Sequence, residues 1–215
     1  DDDSWGHTVG TKYISIEKNI FAGEGNRLRY VDPYPPAYDL LMGIIHQTNN
    51  SIFWTLKFFN TLLISLSLIF FFYFLKTFTG SSKKAFYSSL ILFAVPAFMS
   101  HFIWAISLVM TLFFSAFYCI EKIKDNKKWF IPSALIIAPA LTTSPSHSAY
   151  FALFVIIYLT IKTIIEKKIL IFHYLALITG LMISFFTWYL RSFIIHGFKR
   201  TAGIGSQSIL GVAGT

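Results

Sequence analysis

Ile69-Phe70-Phe71-Phe72-Tyr73-Phe74 sits inside a long apolar stretch, residues 52–78, and that stretch decides the fold. A hydrocarbon core of ~30 Å needs ~20 consecutive apolar residues to cross it as a helix. Working outward, further stretches of this kind follow at Lys84–Ser100, Ile103–Ile123, Trp129–Leu141, Tyr150–Ile165 and Ile169–Phe193. The fourth and fifth are short for independent spans. They join through Thr142-Thr143-Ser144-Pro145-Ser146-His147-Ser148, whose hydroxyls can cap helix ends, as a partly re-entrant hairpin or as a polar loop below the membrane surface. With 55% apolar, 19% aromatic and only 13% charged residues, the chain is too greasy for an ordinary soluble domain. The expected fold is an all-α integral membrane protein, a multi-span helix bundle with a long outer loop that carries short amphipathic helices.

The charge distribution orients this bundle. A net charge of +8 would suit a nucleic-acid binder, but the lysines fall in short clusters between apolar runs rather than on one basic face. Lys76, Lys83 and Lys84 form one cluster, Lys122, Lys124, Lys127 and Lys128 the next, and Lys162, Lys167 and Lys168 the third. Cytoplasmic loops carry such an excess of lysine and arginine, so these loops are read as cytoplasmic and no nucleic-acid partner is expected. Both ends of the chain then lie outside. Cys119 falls inside a span and is the single cysteine, so no internal disulfide can form.

Residues 1–51 read as an outer loop. It opens Asp1-Asp2-Asp3-Ser4-Trp5-Gly6-His7 and later carries Asp32-Pro33-Tyr34-Pro35-Pro36-Ala37-Tyr38. Three consecutive carboxylates repel one another; they are either a solvated tail or oxygen ligands for a hard cation. Tyr13, Ile14, Ile16, Ile20 and Phe21 recur at roughly helical spacing, which predicts an amphipathic helix on the membrane surface, ended by Gly23-Glu24-Gly25-Asn26. Pro36 is placed to open a second short helix through Tyr38, Leu40, Leu41, Ile44 and Ile45. At the far end, residues 194–215 are rich in glycine and read as the start of a flexible outer loop. A chain that opens in a polar loop and stops in a glycine-rich one predicts a longer protein, with a transmembrane helix ahead of Asp1.

The order Asp3-x-Trp5-x-His7, then an amphipathic stretch, then Tyr34-Pro35-Pro36-x-Tyr38, ahead of a run of spans, resembles the GT-C superfamily of membrane glycosyltransferases. Its members include the catalytic subunits of oligosaccharyltransferases and the protein mannosyltransferases. The resemblance implies transfer of a sugar or oligosaccharide from a polyprenyl-phosphate-linked donor to a protein or lipid acceptor on the outer membrane face. It also implies that Asp3, with Asp1, is catalytic, as a base or as a ligand for Mg²⁺ or Mn²⁺. The next outer loop of oligosaccharyltransferases carries a second acidic motif. This chain has Ser100-His101-Phe102-Ile103-Trp104 there, without a carboxylate, so either His101 substitutes as a metal ligand, or the metal site is incomplete, or the closer kin are metal-independent members.

Other residues are candidates for substrate binding. His7 either orients Asp3, meets a phosphate or joins a metal shell, or is a surface histidine with a nearby partner. Trp5, Asp32, Tyr34 and Tyr38 are candidates to line the sugar or acceptor pocket, although the tyrosines equally suit interfacial anchors. Arg191, Lys199 and Arg200 follow the last span on the outer side, where a cationic cluster either holds a lipid phosphate or touches headgroups. The middles of the spans carry almost no ionisable groups, which argues against a transporter. A non-catalytic structural subunit is the remaining alternative, and the missing second acidic motif favours it.

Overall fold

The computed structural model describes residues 2–22, 31–96, 98 and 103–212, the side chains of residues 2, 3 and 202–212 excepted. The regular structure of the described residues is helical, with no strand: α1 Asp2–Glu17, α2 Ala37–His46, α3 Ile52–Thr79, α4 Ser82–Phe93 and α5 Ala105–Lys122. They continue with α6 Phe130–Leu141, α7 Pro145–Glu166, α8 Ile171–Ser184 and α9 Leu190–Val212. A π-helical turn, Phe185–Tyr189, makes α8 and α9 continuous. Local chemistry fixes several boundaries. The Ser51 hydroxyl accepts from the Trp54 amide to start α3, and Gly80 ends it in the left-handed conformation at φ 68°. Ser81 then caps α4 at once by accepting from Lys84 N, and Pro145 opens α7.

Among the described residues, four helices are long and apolar enough to cross a membrane: α3, α5, α7 and the continuous stretch Ile171–Thr201. The other two expected spans are shorter. Helices α4 and α6 have 12 residues each, so at ~1.5 Å per residue they fall short of a ~30 Å core. The chain nevertheless returns along them. Ser107 Oγ donates to Asn60 Oδ1, Thr111 Oγ1 to Leu63 O, and Lys124 Nζ to Thr77 O, while Phe71 meets Phe114 and Phe74 meets Phe117. Those partners rise together, so α3 and α5 run parallel. Residues 80–104 must therefore carry the chain back.

The three lysine clusters gather at one end of the bundle. Lys162 and Lys124 both reach the buried Glu121 carboxylate, at 2.5 and 3.2 Å, and Tyr158 donates its hydroxyl to the same group. The first loop, α2 and the end of Ile171–Thr201 gather at the other. There Ala37 N donates to Thr142 O and Tyr189 Oη to Leu141 O. Between the two ends, Ala116, Ile120, Ile137, Ala140, Val155 and Leu159 form a fully enclosed core. Helices α6 and α8 approach so closely that a Cβ on Gly180 would lie 2.7 Å from Ile137 Cγ2. Small residues permit this kind of contact between apolar helices.

Two further expectations need correction. The acidic opening is not a loop ahead of a helix; it is the first turn of α1, which begins at Asp2. The buried side of that helix is His7, Thr8, Thr11 and Ile14, whereas Ile16 is 62% exposed. Gly43 of α2 faces this side, where a Cβ would lie 3.2 Å from the Thr11 carbonyl oxygen and from Ile14 Cγ2, so α2 packs closely on α1. The glycine-rich end, expected as a flexible loop, is helical to Val212 and bends at Gly197, where φ is 74°. The Thr142–Ser148 hydroxyls do cap a helix end, that of α6. Thr143 Oγ1 donates to Pro139 O and Ser148 Oγ to Ala140 O, so they satisfy carbonyls at the end of α6.

Candidate functional site

The two motifs of the first loop meet at the α1–α2 end. The turn from Asp32 to Pro36, with a cis bond between Asp32 and Pro33, brings Tyr34 and Tyr38 against α1. The His7 ring lies 5.7 Å from the Tyr34 ring and 5.0 Å from the Tyr38 ring, edge to face in both cases. Below this contact the Tyr38 hydroxyl donates to Asn60 Oδ1 at 3.2 Å, and Ser107 donates to the same oxygen. One side-chain amide thus ties α2, α3 and α5 together.

Asp39 was not foreseen. His7 Nδ1 and Asp39 Oδ1 are 2.9 Å apart, and the two residues are 0% and 1% exposed. The Thr11 hydroxyl lies beside the same carboxyl group. Burial holds the Asp39 carboxyl above the usual carboxylate range, while the contacts with His7 and Thr11 act in the opposite direction. Burial, helped by the Asp39 charge, raises the Tyr38 phenol as well. A signal was present in the sequence: Asp39 is a carboxylate between Tyr38 and Leu40-Leu41 on a short helix, too apolar a setting for an unpartnered acid.

The remaining candidates fall into three groups. Asp32 is buried; its Oδ2 accepts from Ala22 N at 3.2 Å and lies 2.8 Å from His196 Nε2. Arg191 stacks its guanidinium 4.3 Å above the Phe21 ring, and Phe21 is stacked on Trp188 at 4.8 Å. The last long helix thus packs on the first loop. Lys199 and Arg200 are exposed beyond the Gly197 bend. Trp5 is 61% exposed and touches Phe53 edge-on at 5.9 Å, outside the His7 cluster.

Asp1 and His101 lie outside the described residues, and so does the side chain of Asp3. The backbone places Asp3 on the first turn of α1, next to Ser4, whose hydroxyl donates to Ile103 O at 3.1 Å. The start of α1 therefore abuts the loop that leads into α5. On its far side Trp104 meets His147 at 6.4 Å. Among the described residues no three His, Cys, Asp or Glu side chains converge on a point that would hold a metal ion.

Beside this cluster runs an apolar groove of about 340 Å³, lined by Pro36, Leu40, Ile44, Pro139, Ile183 and Trp188. Thr187 and Trp188 of the π-helical turn form part of its wall, and Trp188 is the ring on which Phe21, under Arg191, is stacked. A hydrocarbon chain fits such a lining. Comparison with protein-family models, with curated proteins and with solved structures finds no match.

Proposed function

We propose that the chain is an integral membrane glycosyltransferase of the GT-C kind. In this reading it moves a sugar or oligosaccharide from a polyprenyl-phosphate-linked donor to a protein or lipid acceptor, at an extracytoplasmic site on the α1–α2 end. The observation that carries the reading is the approach of the two motifs, His7 against Tyr34 and Tyr38. Asp3 would take the proton of the attacking acceptor, and the lipid phosphate would leave toward Arg191, with Lys199 and Arg200 close by in sequence. The apolar groove supports a lipid substrate. A divalent cation on Asp1, Asp3 and His101 belongs to the same proposal.

The test is sugar transfer by the protein in nanodiscs, with a polyprenyl-phosphate-linked sugar as donor. Asp3→Asn removes charge without volume. It is expected to lower turnover by roughly 10²–10⁴-fold, the contribution of a positioned general base, while donor binding persists. Undiminished turnover in Asp3→Asn would sink the catalytic assignment, whereas turnover that resists a chelator would remove only the cation. A structural subunit is the second reading, favoured by the complete burial of His7, Asp32 and Tyr38. Absence of transfer by the wild type, with donor bound or not, would decide for it.

A further inference from the structure

Helix α3 buries one side and leaves the other bare. Thr55, Leu56, Asn60, Ile64 and Ser67 are buried in the bundle. On the outward side, Trp54, Lys57, Phe58, Thr61, Leu62 and Ser65 line a shallow groove of about 410 Å³. Their spacing of three and four residues keeps them on one helix face. The Trp54 and Phe58 rings stack there at 5.5 Å, and both are largely exposed. The hydroxyls of Thr61 and Ser65 donate to the carbonyls of Lys57 and Thr61, at 2.9 Å each. Lys57 differs from its neighbours. It is exposed, and among the described residues no carboxylate, carbonyl or ring meets its ammonium group.

The length of the helix sets the depth of that cation. With 28 residues at ~1.5 Å each, α3 is about 42 Å long, which matches a bilayer with both headgroup layers. Lys57 lies ~7–8 Å below Ile52, about where headgroups give way to hydrocarbon. An uncompensated charge is disfavoured at that level, and a lipid phosphate is the anion found there. A zwitterionic head already balances its own phosphate, so Lys57 favours a head of net negative charge. We propose that the groove holds a glycerophospholipid of net negative charge, its head on Lys57 beside Trp54 and an acyl chain along Phe58 and Leu62. The groove is separate from the His7 cluster, because Tyr38 reaches Asn60 from the buried side and α3 itself stands between. The proposal needs α3 to cross the bilayer and is independent of sugar transfer.

The test places the protein in nanodiscs of phosphatidylcholine that carry a small, equal fraction of either phosphatidylglycerol or phosphatidylcholine with brominated acyl chains. Quenching of Trp54 is read as the difference between each protein and the same protein with Trp54→Phe. Brominated phosphatidylglycerol should be enriched at Trp54 about fivefold over brominated phosphatidylcholine, the effect of one lysine near an anionic lipid. The enrichment should vanish in Lys57→Gln and persist in Lys57→Arg; since Lys57 meets no described residue, neither exchange disturbs the packing of α3. Equal quenching by the two lipids, or a preference that survives Lys57→Gln, overturns the proposal. Absence of quenching by either lipid does so too, because a protein surface then covers the groove. Relief of quenching by a polyprenyl phosphate, at contents where unbrominated phosphatidylglycerol gives none, would assign the groove to that carrier and overturn the proposal as well.

Discussion

Asp39 shows how one residue escapes a reading of the sequence. The acidic run drew attention because three carboxylates stand together, yet Asp39, buried and paired with His7, stands alone in an apolar helix. Its burial makes a prediction about pH. Because the Asp39 carboxyl lies above its ordinary range when folded, the folded chain holds that proton more tightly than the unfolded one. This term favours folding most below the ordinary Asp value of ~3.9 and fades as pH rises toward the raised value. Asp39→Asn has no such term. The melting temperature of the wild type relative to Asp39→Asn, followed in detergent, should therefore fall as pH rises above ~4. A gap that widens with pH would show that His7 outweighs burial. Asn60 teaches the same lesson, since an amide inside a long apolar helix signals a partner that only the three-dimensional packing supplies.

At the scale of elements, what could be read depended on periodicity. The long helices α3, α5 and α7 were legible because apolar runs of that length have few other uses, and α2 was legible from Pro36 and the residues after it. Helix α1 was misplaced because its buried side is His7, Thr8, Thr11 and Ile14, a polar stripe to which hydrophobic periodicity is blind. At the lysine end, the pattern showed the clusters but not that Glu121 joins α5 to α7. Its carboxylate is 4% exposed and the Lys162 ammonium group it meets belongs to a side chain 12% exposed. Removing one member of such a pair leaves the other buried without a countercharge. Glu121→Ala should cost ~3–5 kcal/mol, read from thermal unfolding in detergent. Lys124→Ala should cost far less, because that side chain is 46% exposed and solvent already screens it. Equal losses from the two substitutions would mean that Glu121 is held by something other than Lys162.

The whole molecule has two distinct ends, and the lysine pattern anticipated which segments lie at each. Contacts such as Lys124 with Thr77 and Lys162 with Glu121 gather the basic loops, while Asp32 with His196 joins the first loop to the end of the last long helix. Which end faces the cytoplasm follows from charge alone and is open to direct test. With Cys119 replaced by alanine, single cysteines at the exposed positions Ser82 and Asn50 should react with an impermeant thiol reagent from opposite sides, Ser82 from the cytoplasm. Reaction of both from one side would overturn the orientation.

The parallel pairing of α3 and α5 also bears on the order of synthesis. Helix α3 leaves the ribosome first, with Thr55, Asn60 and Ser67 along the side that is buried in the finished bundle. The hydroxyl of Ser107 that closes on Asn60 is translated only after the intervening turn and α4. A nascent chain that has reached Thr79 can already close the Tyr38 hydroxyl on Asn60, but not yet the Ser107 hydroxyl, so this polar side of α3 is satisfied in two steps. Burial of that side is completed only once α5 has been made, and α4 lies on the stretch of chain that joins the two.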